Sequence, residues 1–146
     1  MSLIDDAIVK IQTHALLVTY DDAGKNTIRS APNYPVESAA VLPLAVTYIG
    51  DGECIRDNNT DVRLLYTIFT DIHVDPKIMK SAFSQINNII PDLERRLAGD
   101  PTLTETVDTI RFPITHDEPS CALWNDITTL MVRFRIPIKI KTTPTN

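Results

Sequence analysis

Residues 62–74, VRLLYTIFTDIHV, alternate side-chain character along nearly their whole length and stop at Asp75-Pro76. Val62, Leu64, Tyr66, Ile68, Ile72 and Val74 share one parity; Arg63, Thr67, Asp71 and His73 share the other, with Leu65 and Phe69 among them. Successive side chains of a strand point to opposite faces, so the run reads as one long strand with a buried side. A second run repeats the pattern at 128–141. Leu130, Val132, Phe134, Ile136, Ile138 and Ile140 line one face there, and Arg133, Arg135, Lys139 and Lys141 the other. Two long, half-apolar strands need something to cover them.

The cover is readable on either side. Residues 3–18 place Leu3, Ile4, Ala7, Ile8, Ile11, Ala15 and Val18 at helical spacing, with Ser2 and Asp5 positioned as a capping pair. Asp75-Pro76 predicts a second helix start, Asp75 as cap and Pro76 in the first turn, where its missing N–H is not needed. That helix shows Ile78, Met79, Ala82, Phe83, Ile86, Ile89, Ile90, Leu93 and Leu97 on one face and is placed to end at Gly99. Pro91 falls inside it and predicts a kink or break at 88–90.

Between these runs, LAVTYI at 44–49 reads as a strand and 50–61 as a polar loop; 107–114 reads as a strand with Ile110, Phe112 and Ile114 inward, and 115–125 as a loop. Pro137 predicts a sheet edge or bulge within the last strand. AGDPTLTETVDTI at 98–110 holds too many β-branched residues for a helix and reads as a chain-reversing connector. Residues 21–43, with three prolines, form an irregular arm of a length usually kept for an interaction or a function. The order of elements predicts one α+β domain over 1–146: a largely antiparallel sheet, two helices on its apolar face, and a polar second face left for water or a partner.

Charge limits the function. The net charge of −5 argues against a chain built to grip phosphates. It is uneven: residues 125–146 carry four basic side chains against Asp126, a net of +3, which leaves −8 on residues 1–124. Such asymmetry suggests pairing within or between subunits. Cys54 and Cys121 lack metal-ligand spacing and read as plain thiols, and no apolar run approaches a membrane span, so the expected compartment is cytoplasmic.

Three clusters could carry chemistry. Asp71, His73 and Asp75 stand at period-two spacing and could present ligands to a divalent cation, although Asp75 is wanted as a helix cap. His116, Asp117 and Glu118 adjoin one another in a loop, but no nucleophile or glycine-rich phosphate cradle accompanies them. His14 lies on the first helix with no evident role. The basic stripe of the last strand lacks the interleaved aromatics of a nucleic-acid platform, and salt bridges to acidic neighbours suit it better. No catalytic, metal or cofactor site is expected.

Four phrases taken together resemble a known family: YPVESAAVLPLAVTYIG at 34–50, the long strand ending IHVD at 72–75, IPDLERRLAGDPTLTETVDTI at 90–110, and RFRIPIKIK at 133–141. In order and spacing they resemble the tail terminator, or tail completion, proteins of long-tailed bacteriophages. The resemblance implies a structural virion protein with no reaction to perform. It implies a homohexameric ring that caps the finished tail tube, ends its polymerisation and docks the head connector, with DNA passing through the lumen unbound. Assembly would take place in the host cytoplasm.

On that reading, the outward strand residues Arg63, Asp71, His73, Arg133, Arg135, Lys139 and Lys141 are candidates for subunit contact. Tyr34, Pro35 and Glu37 of the arm, with Asp51, Glu53 and Arg56 of the 50–61 loop, are candidates for touching the tail tube protein or the connector. Charge reversal of Arg133 and Arg135 is expected to leave folding intact and weaken assembly. Two alternatives stand beside it: a neck or head-closure adaptor of the same virion region, and a small cytoplasmic metal-dependent enzyme using Asp71, His73 and the 116–118 loop.

Overall fold

Strand β2 (Val62–Val74) and strand β6 (Ile127–Thr142) pair antiparallel along their full common length, from Val62 opposite Thr142 to Val74 opposite Leu130. The computed structural model describes residues 2–18, 28–32, 42–124 and 126–145. Strand β1 (Leu44–Arg56) flanks β2, and three short strands, β3 (Thr109–Ile110), β4 (Thr115–His116) and β5 (Ser120–Trp124), follow one another along the far side of β6. All of these pairings are antiparallel. With two helices on one face, the described residues form an α+β fold.

The register puts Ile68, Ile72 and Val74 beside Ile136, Val132 and Leu130 on one face of the sheet. Helix α1 (Leu3–Leu16) sets Ala7, Ile8, Ile11 and Ala15 into this core, and helix α2 (Met79–Ala98) sets Ala82, Ile86, Ile89, Leu93 and Leu97 into it. Each fully buried Ile, Leu or Phe contributes roughly 1.5–3 kcal/mol, so this two-helix cover dominates the stability of the fold. The Ser2–Asp5 capping box forms as the spacing implies, with Asp5 N–H donating to Ser2 Oγ at 3.1 Å.

The second helix begins later than Asp75-Pro76 implies. Asp75 Oδ1 accepts from the Lys77 N–H at 3.0 Å, closing a local turn, and extended Ile78 becomes the cap residue. Helix α2 then runs unbroken through Pro91, which lies on its water-facing side. The carbonyl that Pro91 cannot serve belongs to Asn87, an exposed residue on the same side of the helix.

Three further boundaries move. β1 continues past Ile49 to Arg56, so most of 50–61 is strand, with a bulge between Ile49 and Gly52 and a short turn at 57–61. The glycines that suggest a turn are there because rings crowd them: a Cβ on Gly52 would stand 2.2 Å from Tyr66 Cδ1, and one on Gly50 would stand 2.6 Å from Phe69. The expected strand 107–114 survives only as Thr109–Ile110, with Phe112 exposed, while strand pairing resumes inside the expected loop.

Pro137 stands at mid-sheet, not at an edge. Its carbonyl accepts from Arg111 N–H at 2.7 Å, so its missing N–H faces the gap where the chain leaves the ladder between Ile110 and Thr115.

The 98–110 connector contains a left-handed turn. Leu103, Thr104 and Glu105 have φ of 47°, 55° and 66° in succession. Asp100 organises it, accepting from Thr104 N–H at 2.7 Å, from Thr104 Oγ1 at 2.9 Å and from His14 Nε2 at 2.9 Å. Leu103, fully buried, anchors the turn in the core. His14 thus has a structural task, tying α1 to the end of α2.

Candidate functional site

The second face of the sheet is neither bare nor uniformly polar. Leu44 and Val46 are buried on it with Leu42 and Tyr48 against them, so the expected polar face carries a small apolar cluster of its own. β1–β2–β6 register brings Tyr48, Phe69, Asp71, Arg133 and Arg135 together there. Arg133 Nε donates to Asp71 Oδ1 at 2.8 Å, its Nη2 to Asp71 Oδ2 at 3.1 Å and to Tyr48 Oη at 2.9 Å, and Tyr48 Oη donates to Asp71 Oδ2 at 2.6 Å. The guanidinium carbons of Arg133 and Arg135 lie 4.8 and 5.3 Å from the Phe69 ring centroid.

The electrostatics follow from this closure. Burial, then the hydrogen bond to Asp71, pushes the Tyr48 phenol from 10.0 up to about 12. The Asp71 carboxylate holds Arg133 more firmly charged. Burial lowers the His73 imidazole against the opposing pull of Asp71, and its Nδ1 shares a 2.8 Å hydrogen bond with buried Thr129 Oγ1. A hollow of about 190 Å³, lined by Val46, Tyr48, Asp71, His73, Ala122, Leu123 and Met131, opens above the cluster. Its polar floor is internally saturated: a carboxylate gripped by a guanidinium and a phenol is poorly placed for general-base work.

Most of the predicted contact stripe is therefore engaged within the subunit. Arg135 Nη2 pairs with Asp117 at 3.0 Å and Arg63 Nε with Asp57 at 2.8 Å, and Asp71 and His73 are buried. Lys139 and Lys141 make no ion pair among the described residues. The expectation that reversing Arg133 leaves folding intact has to be corrected, because a carboxylate at 133 would face buried Asp71. Asp75, the third member of the suggested ligand trio, is occupied in its turn, and the His116–Asp117–Glu118 cluster is split: His116 Nδ1 pairs with Glu94 at 2.6 Å while Asp117 takes Arg135. Among the described residues no group of three His, Cys, Asp or Glu side chains is placed to hold a metal.

The other candidate surface is the β1–β2 hairpin. Asp51, Glu53 and Arg56 lie on its β1 strand and are exposed. Its tip is built by Asn58 Oδ1, which accepts from Thr60 N–H at 2.8 Å and Asp61 N–H at 2.9 Å, and by Asp57 N–H donating to Asp61 O at 3.0 Å. The outer edge of β1 is covered near its start, where Ala45 and Thr47 donate to the Ser30 and Pro32 carbonyls at 2.9 and 3.0 Å. Asp51 and Glu53 share a hollow of about 240 Å³ with Arg111, Leu65 and Thr67. Tyr34, Pro35 and Glu37 lie outside the described residues.

Tyr48 is the participant that sequence reading missed, because its part depends on register across three strands. The parity it shares with Leu44 and Val46 was the one available signal. No helix among the described residues is long and apolar enough to cross a membrane. No family model matches the chain, and no curated protein matches it.

Proposed function

We propose that this chain is a ring-forming structural protein of a long-tailed phage particle, a tail terminator that caps the tail tube and offers a surface to the head connector. The observation that carries the reading is the β1–β2 hairpin: β1 runs on past the bulge, exposed along most of its second half, with its outer edge uncovered beyond Thr47 among the described residues. A long open edge is a hazard for a solitary protein and an asset for one that joins others. The resemblance of the four phrases supplies the identity of those others. Asp51, Glu53 and Arg56 on the hairpin serve the tube or the connector, and the subunit contact falls to surfaces not already closed by internal ion pairs. The reading assigns no reaction and no cofactor to the chain.

The test is the mass of the purified protein, with negative-stain images of it alone and mixed with tail tubes. Rings, free or seated on one end of the tube, are expected. A chain that stays monomeric and never marks a tube end overturns the proposal, and rings that bind isolated connectors but ignore tubes replace it with the head-closure reading.

A further inference from the structure

Two exposed apolar patches of opposite charge lie on the helix layer, and the core explains neither. On α2, the start of the helix carries Ile78, Met79 and Phe83, which are 66%, 45% and 39% exposed, with Lys77 and Lys80 beside them. This first turn contains no acidic side chain and no side-chain cap to offset the partial positive charge of the helix end. On α1, the side turned away from the core carries Val9 and Leu16, 42% and 40% exposed and two helical turns apart, with Asp5 and Asp6 in the first turn.

The Leu16 end of the α1 ridge and the start of α2 lie far apart within one molecule. His14, two residues before Leu16, is 2.9 Å from Asp100, just beyond the C-terminal end of α2. Ile78–Phe83 stand at the opposite end of that 20-residue helix, and a helix of this length spans about 30 Å. Unlike patches at separate places on one molecule pair head to tail between molecules, and such a contact builds a ring where its rotation closes and a filament where it does not.

We propose that a second copy of this chain docks the start of its α2 (Ile78, Met79, Phe83, Lys77, Lys80) on the exposed ridge of α1 (Val9, Leu16, Asp5, Asp6). The inference rests on the ring reading above and names the surfaces that build it. Apolar side chains meet at the centre, and the lysines face the aspartates at the rim, which sets the direction of docking and excludes like-to-like pairing.

Cross-linking tests it in the full chain with Cys54 and Cys121 changed to Ser. One preparation carries Val9→Cys, another Met79→Cys, and a short bis-maleimide is added to each alone and to the mixture. Both positions are exposed, so folding is retained. Cross-linked dimers are expected in the mixture at least tenfold above either preparation alone. Lys77→Glu with Lys80→Glu is expected to raise the concentration needed for half-assembly at least tenfold. A parent chain that assembles but gives no mixed cross-link, or one whose assembly ignores the lysine reversal, overturns this contact and leaves the ring standing. A parent chain that remains monomeric at every concentration overturns both.

Discussion

Arg133 stands directly across the sheet from Asp71 and grips both of its carboxylate oxygens, at 2.8 and 3.1 Å. The carboxylate is nearly shut off from water, with 8% of its side chain exposed, while the arginine keeps 31%. Removing the arginine strands a buried charge, whereas removing both charged groups does not. Arg133→Met is expected to destabilise the protein by about 2 kcal/mol, below the full cost for a wholly buried pair because water reaches the arginine. Arg133→Met combined with Asp71→Val should be less destabilising than Arg133→Met alone. Urea midpoints of the two variants decide the matter, and equal loss would show that the pair is only packing.

Tyr48 gives an alkaline signature. Its phenol titrates at 10.0 when free and at about 12 in the fold, so the folded state favours the neutral form. That contribution is whole below pH 10 and fades as the pH rises through 12. Ultraviolet titration should show one phenolate step delayed into this range, and Tyr48→Phe should remove that step together with its share of the alkaline loss of stability.

The left-handed turn predicts a stabilising substitution. Glu105 is exposed at φ 66°, a region costing a non-glycine residue about 1–2 kcal/mol, against about 0.5–1 kcal/mol for the extra freedom of unfolded glycine. Glu105→Gly should therefore raise stability by roughly 0.5 kcal/mol. A lower thermal midpoint would mean that the glutamate makes contacts worth more than the strain.

Two glycines should respond very differently to alanine. Gly52→Ala drives a methyl into the Tyr66 ring and to 2.8 Å from the Leu65 carbonyl, and should cost about 1–3 kcal/mol with amide protection lost first in the hairpin. Gly99→Ala meets nothing nearer than 3.5 Å at a right-handed φ of −78° and should change stability by less than about 0.5 kcal/mol. Denaturant midpoints with hydrogen exchange check both.

Period-two runs made the two long strands legible nearly to the residue, because half-burial imprints alternation directly on composition. The helix faces were legible for the same reason at their own period. What escaped was decided by distant neighbours. Gly50 and Gly52 signal a turn to anyone reading locally, yet Phe69 and Tyr66 on the next strand are the reason they are glycine. Asp75 was available for two turns, and its hydrogen bond to Lys77 settled which one formed. The basic stripe on β6 was read correctly as a face, but its partners Asp71 and Asp117 come from other segments, so its engagement depended on the assembled register. The exposed start of α2 belongs to the same apolar series as the buried remainder, and periodicity cannot say where a core ends.

The pairing of β2 with β6 also dictates a timetable. Asp71 and Arg133 are 62 residues apart, and the ladder they belong to is the middle of the sheet. Closing so long a stretch of chain is slow compared with forming a helix or a neighbouring hairpin. The β1–β2 hairpin and α2 can form from nearby segments, but they must wait, half-covered, for the strand that completes them. Refolding slower than that of a helical bundle of the same length is the kinetic behaviour expected of this connectivity, and stopped-flow mixing measures it.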